Sequence, residues 1–160
     1  MRHGEVAEAA RCWLHVPHYR IAIKEVGLPS GRRIDVLAFA PRGNEFRLVE
    51  CKASAQDLKG VVKQLEDYRR FADLLYVAVP DELEEMARGL LPKKVGLLVM
   101  SGHPGYNYLS TNCARNPRRV PMDDRARGAM ITRAQTWLLA HFEATRKCRN
   151  CGYVLPHGPV

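Results

Sequence analysis

Residues 33–52, RIDVLAFAPRGNEFRLVECK, decide the fold. Two apolar runs, RIDVLAFA and EFRLVECKA, flank the turn-forming PRGN and read as a β-hairpin. With Pro41 to Asn44 as the loop, Ala40 pairs with Glu45, and the same register sets Asp35 opposite Glu50. Directly opposed residues have Cβ atoms about 5 Å apart, and two carboxylates that close repel unless something positive lies between them. Glu50 and Lys52 are two apart, so the pleat points both to one face, with Phe46 and Leu48. Val36, Leu37, Leu48 and Val49 bracket the acids, and a charge in so apolar a strand needs a partner. A divalent cation between Asp35 and Glu50 meets that need. The plainer alternatives are a wet sheet face or a Glu50 paired only with Lys52.

Working outward, IAIKEV and the turn segment GLPSGR precede the hairpin, so the middle of the chain reads as a three-stranded antiparallel meander. Before it, Val6, Ala9, Ala10, Trp13 and Leu14 recur at helical spacing over residues 5–15, a helix ended by the Val16–Pro17 bond. After it, Leu58, Val61, Val62, Leu65, Tyr68 and Phe71 predict a helix of about four turns. LLYVAVP and KVGLLVM are buried strands separated by the acidic helix DELEEMARGL, an alternation that implies parallel pairing. The expected class is α/β: a mixed sheet, antiparallel meander plus parallel strands, flanked by helices. SGHPGYNYLSTNCARNPRRVPMDD reads as a long connection, and Ala126, Met130, Ala134, Trp137, Leu138 and His141 predict a helix over 126–143. Residues 1–100 are therefore the expected core, with 101–160 a basic C-terminal extension packed on it.

The 160 residues suit one domain, and no run approaches the roughly 20 apolar residues of a membrane span. MRHGEVAEAARCW lacks the apolar segment of a secretory signal, so a cytoplasmic protein is expected. The net charge is +8, of which residues 101–160 carry +6, including Arg115, Arg118, Arg119, Arg125, Arg127 and Arg133. A polyanion partner follows as naturally as a basic solvated face. Five cysteines, an odd number, argue against a disulfide framework.

Hard oxygen donors favour Mg²⁺ or Mn²⁺, which keep waters able to act as nucleophile, and Lys52 beside them can orient such a water and offset phosphate charge. These are the parts of a phosphodiester hydrolysis site. Glu8 on the first helix is the best placed third carboxylate, with Glu5 one turn earlier as the fallback.

Asp35, followed across a hairpin by Glu50-Cys51-Lys52, resembles the PD-(D/E)xK nuclease superfamily, whose restriction-endonuclease-like fold has this order of elements. Ile34 stands in the proline slot and Cys51 in the variable slot of ExK. Gln64 and Tyr68 resemble the QxxxY motif of the RecB-like branch, although Tyr68 also fits the core stripe. The MmcB-like DNA-repair family is a closer resemblance over roughly residues 5–140, through EVGLPSGRRIDVLAF, LVECKAS, LEDYRRFAD and LLYVAVP, and less clearly RARGAMITRAQTWLL. The resemblance implies a Mg²⁺- or Mn²⁺-dependent DNA endo- or exonuclease in repair or recombination. Asp35, Glu50, Glu8 and the Cys51 backbone carbonyl would hold the metal, Lys52 would activate water, and Gln64 and Tyr68 would position the strand. Arg32, Arg33, Arg115, Arg118 and Arg119 would contact DNA phosphates. The rivals are a non-catalytic DNA-binding accessory of the same fold, working with other repair proteins, and a dimeric junction resolvase. Cys148-Arg-Asn-Cys151-Gly has zinc-knuckle spacing that Cys113, His103 or His157 could complete. The alternatives are a bare tail, or an iron–sulfur cluster on Cys12, Cys113, Cys148 and Cys151.

Overall fold

The computed structural model describes residues 1–15, 21–40, 45–102 and 109–145. In chain order they form α1 (His3–His15), β1 (Ile21–Gly27), β2 (Arg33–Ala40), β3 (Glu45–Cys51), α2 (Ala55–Lys59), α3 (Val61–Tyr68), β4 (Leu74–Pro80), α4 (Glu84–Leu90), β5 (Gly96–Gly102), β6 (Leu109–Arg115) and α5 (Asp124–Thr145). The six strands lie in sequence order in one sheet. The β1–β2–β3 meander is antiparallel, β3–β4 and β4–β5 are parallel, and β6 returns antiparallel to β5. Ala40 does face Glu45, as the four-residue loop requires.

Each sheet face builds its own core. One takes Leu37, Phe46, Leu48, Val77, Val79, Leu97 and Val99 against side chains of α2, α3, α4 and α5. The other takes Val36, Ala38, Val49, Ala78, Leu98 and Met100 against Val6, Ala10 and Leu14 of α1. The central strands β4 and β5 are covered on both sides, which is why they read as unbroken apolar runs. Two glycines answer to geometry. Gly31 has φ 84° in the turn closed by the Leu28 N–H donating to the Arg32 carbonyl, and a Cβ at Gly96 would overlap the Tyr76 ring.

Two expectations need correction. The helix predicted after Asp57 is divided into α2 and α3 at Gly60, whose N–H donates to the Leu58 carbonyl. Leu58, Val61, Leu65, Tyr68 and Phe71 are still all buried. The apolar stripe held while the weak helix former broke the backbone. The long connection expected after Met100 contains β6, an edge strand whose Ser110, Thr111 and Asn112 pair with Ser101, Met100 and Val99. Its ladder holds it, with only Cys113 and Ala114 packed against the cores. No described helix is long and apolar enough to cross a membrane.

Candidate active site

Asp35 and Glu50 are not ladder partners, but they are near enough for the Asp35 charge to act on Glu50. The β2–β3 ladder ends at Val36↔Val49. Ile34 and Leu37, three apart, enter the same core, so the alternation of β2 reverses across Asp35. The Asp35 side chain is 16% exposed, and its Oδ2 accepts the Cys51 N–H at 2.7 Å. His3 Nε2, from the start of α1, lies 3.3 Å from the same oxygen.

Glu50 is 4% exposed. Lys52 Nζ donates to Glu50 Oε1 at 2.7 Å, and the Lys52 backbone N–H is fixed on the Ala78 carbonyl of β4. Glu50 Oε2 is buried and makes no close hydrogen bond, because the nearby Tyr68 hydroxyl, which favours the charged carboxylate, is directed to the Arg33 carbonyl. Burial first, then the Asp35 charge, push the Glu50 carboxyl above its usual range despite Lys52. An acid kept in this state is costly unless another group arrives. Tyr68 is buried on α3, donates to the Arg33 carbonyl at 3.1 Å, and has its phenol pushed up to about 12 by burial and the nearby Glu50 charge. Gln64, one turn earlier, is half-buried.

Of the other expected site residues, Arg32 and Arg33 stand beside Tyr68, while the rest of the described ones engage other partners or solvent. Glu8 pairs with Arg11 and, at 2.7 Å, with Lys24, and these bonds hold its carboxyl at about 2. It lines a cleft of about 1040 Å³ with Glu5, Cys12, Asp81 and Glu82. Among the described residues no three His, Cys, Asp or Glu side chains cluster as a metal cage, so the two-strand acids are not joined by Glu8. Arg32 pairs with Asp67 at 2.6 Å and Arg33 with Glu25 at 2.9 Å. Arg115 is turned inward, its Nε donating to the Val95 carbonyl and one terminal nitrogen buried without a partner. Arg118 and Arg119 are exposed, Arg119 3.8 Å from Glu45. Cys113 is a free thiol that donates weakly to the Arg115 carbonyl and to Asn116. Cys148, Cys151, His103 and His157 lie outside the described residues.

Sequence reasoning missed His3, which carries no motif and reaches Asp35 only because α1 crosses the sheet. It also missed Asp73, whose fully buried carboxylate accepts the Phe46 N–H at 2.9 Å and two bonds from Arg127 at 2.7 and 3.2 Å. Arg127 is thereby a structural clamp between α5 and the sheet.

Fold and geometry together define a mixed-sheet α/β protein with a buried glutamate–lysine pair near the end of β3. The chain belongs to the MmcB-like family of DNA repair proteins, whose model matches residues 6–146. A protein of unknown function from Silicibacter pomeroyi, SPO1766, has a similar structure, with TM-score 0.71, 22% identity, and coverage of 95% of this chain and 96% of that one. At that identity the likeness speaks for the fold. No curated protein matches.

Proposed function

We propose that this protein is a metal-dependent deoxyribonuclease of the PD-(D/E)xK kind, hydrolysing phosphodiester bonds during DNA repair. The observation that carries this reading is Glu50 Oε2, a buried carboxylate oxygen without a partner beside a second carboxylate. The donors fit a hard divalent cation: Glu50 Oε2, the Asp35 carboxylate and the Cys51 carbonyl are all oxygens, the set that suits Mg²⁺ or Mn²⁺. When bound, such an ion lowers the pKa of a coordinated water and neutralises phosphoryl charge.

The remaining work falls to the chain. The Cys51 N–H and His3 fix the orientation of Asp35. Lys52 is held on Glu50 Oε1 and turns its other N–H bonds toward an attacking water or a phosphate oxygen, where charge develops. Tyr68 keeps its proton at neutral pH, so it holds the Arg33 carbonyl and the entry to β2 in place. Gln64 is exposed enough to touch the strand.

The test is cleavage of labelled single-stranded, duplex, flapped and junction DNA with Mg²⁺, Mn²⁺ or EDTA, comparing the native chain with Lys52→Ala. Metal-dependent cutting lost in the variant supports the reading. Binding without cutting under every condition overturns it in favour of an accessory DNA-binding role.

A further inference from the structure

We infer that Glu25 is a positioning residue: its left-handed backbone, not its carboxylate, turns Asp35 out of the hydrophobic core and onto the Cys51 amide. Glu25 has φ 60°, the one positive value at a non-glycine among the described residues. An L-residue in the middle of a strand rarely takes that conformation, and glutamate has no short side chain to ease it as asparagine does. Such an outlier points to a task.

The register shows the task. Pairs Lys24↔Val36 and Val26↔Ile34 flank Glu25 and Asp35, which would face each other but are not ladder partners. Before this row, Ile23 and Leu37 pair and enter one core while Val36 enters the other. Plain alternation would then send Asp35 into the core beside Leu37, and Ile34 to the α1 side. Instead Ile34 and Val26 both join the Ile23–Leu37 core. Both strands thus reverse their facing within one row, and that row holds the left-handed residue. The reversal buries an isoleucine and frees an aspartate, which then meets Cys51 and His3 at the end of β3. The Glu25 carboxylate does not explain it. Its pair with Arg33 is at 2.9 Å, with side chains 52% and 69% exposed, and surface pairs of that kind hold little.

The functional weight of this device rests on the metal-centre reading, but its structural claim can be measured without a metal. The full-length chain is labelled with ¹⁵N, and the Cys51 amide is followed by chemical shift and hydrogen exchange alongside Mn²⁺ affinity. Glu25→Gly and Glu25→Asn, which accept positive φ, should retain the protected Cys51 amide and bind Mn²⁺ within about twofold of the native chain. Glu25→Val, β-branched and unsuited to positive φ, should keep its circular dichroism, lose Cys51 protection and bind Mn²⁺ at least tenfold more weakly. A folded valine variant with a native Cys51 amide would overturn the proposal. Should the valine chain not fold, Glu25→Gly against Glu25→Ala decides: glycine should melt about 2–4 °C higher, as expected for easing one left-handed residue in a chain of this size, and alanine melting at or above glycine overturns it. A native chain that binds no Mn²⁺ yet shows this Cys51 pattern supports the positioning role and overturns the metal reading instead.

Discussion

Strand β3 meets a buried acid at each end, and the two are treated in opposite ways. At its start Asp73 is completely enclosed, with its oxygens on the Phe46 N–H and the Arg127 guanidinium. Burial alone would push its carboxyl up, but Arg127 and Phe46 outweigh that and hold it below the usual range. At the other end Glu50 is nearly as buried, yet only one of its oxygens is satisfied, and its carboxyl is pushed up. A finished acid thus stands against the start of β3, just before β4, and an unfinished one lies near the end of β3 itself. The finished acid ties α5 and the β3–β4 edge together. The unfinished acid is at the end where the metal centre is proposed, and the missing partner is the reason to look for it there.

The largest effect should come from breaking the finished end. Asp73→Ala leaves Arg127, 18% exposed, facing an emptied site and strands the Phe46 N–H. Removing one partner of a buried pair costs about 3–5 kcal/mol, so the melting temperature should fall by about 6–20 °C. Cleavage per folded molecule, measured well below that transition, should be unchanged. At the unfinished end the pattern should invert: Lys52→Ala should lower cleavage by about 10²–10³-fold, as the loss of one preorganised donor does. If Asp73→Ala abolished cleavage while still folded, or Lys52→Ala left it intact, the division of labour along β3 would be wrong.

The two ends differ as much in how far they could be read from sequence. The meander register was legible because a four-residue loop fixes Ala40 on Glu45, and β4 and β5 because strands covered on both faces must be apolar throughout. Glu50 and Lys52 followed from a spacing of two in such a strand. The reversal at Asp35 was not legible, since Glu25 takes a conformation that glycine or asparagine would have announced. Asp73 was equally hidden, because its partner Arg127 lies 54 residues away and looks like any basic helix residue. β6 escaped because an edge strand can be held by its backbone with serine and asparagine side chains.

Acid should separate the two ends by a smaller margin. The Asp73 carboxyl is lowered on folding, so its contribution is fully present above the ordinary aspartate value of about 4 and is lost as pH falls through the folded value. Glu50 is raised, so it opposes folding as pH rises past the ordinary glutamate value of about 4.3, and acidification relieves it. Melting temperature against pH should therefore fall less steeply below pH 4 in Asp73→Asn than in the native chain. Mn²⁺ affinity should drop on acidification before the fold does, because Glu50 takes up its proton first. Parallel melting curves for the two chains, or Mn²⁺ affinity holding until the protein unfolds, would contradict this ordering.

The smallest effect is expected at Glu8, and it bears directly on which acids serve the centre. Its pairs with Arg11 and Lys24 pull its carboxyl to about 2, but it is 43% exposed, and exposed pairs contribute about 0–1 kcal/mol. Glu8→Gln should thus move the melting temperature by no more than about 4 °C. Two cations already occupy its oxygens, so in this arrangement it is a satisfied surface acid, closer in kind to Asp73 than to Glu50. Its neutralisation should leave Mn²⁺ affinity within about twofold. A tenfold weakening would mean that Glu8 trades Arg11 and Lys24 for the ion when metal binds, and the centre would then draw on α1 as well as on the two strands.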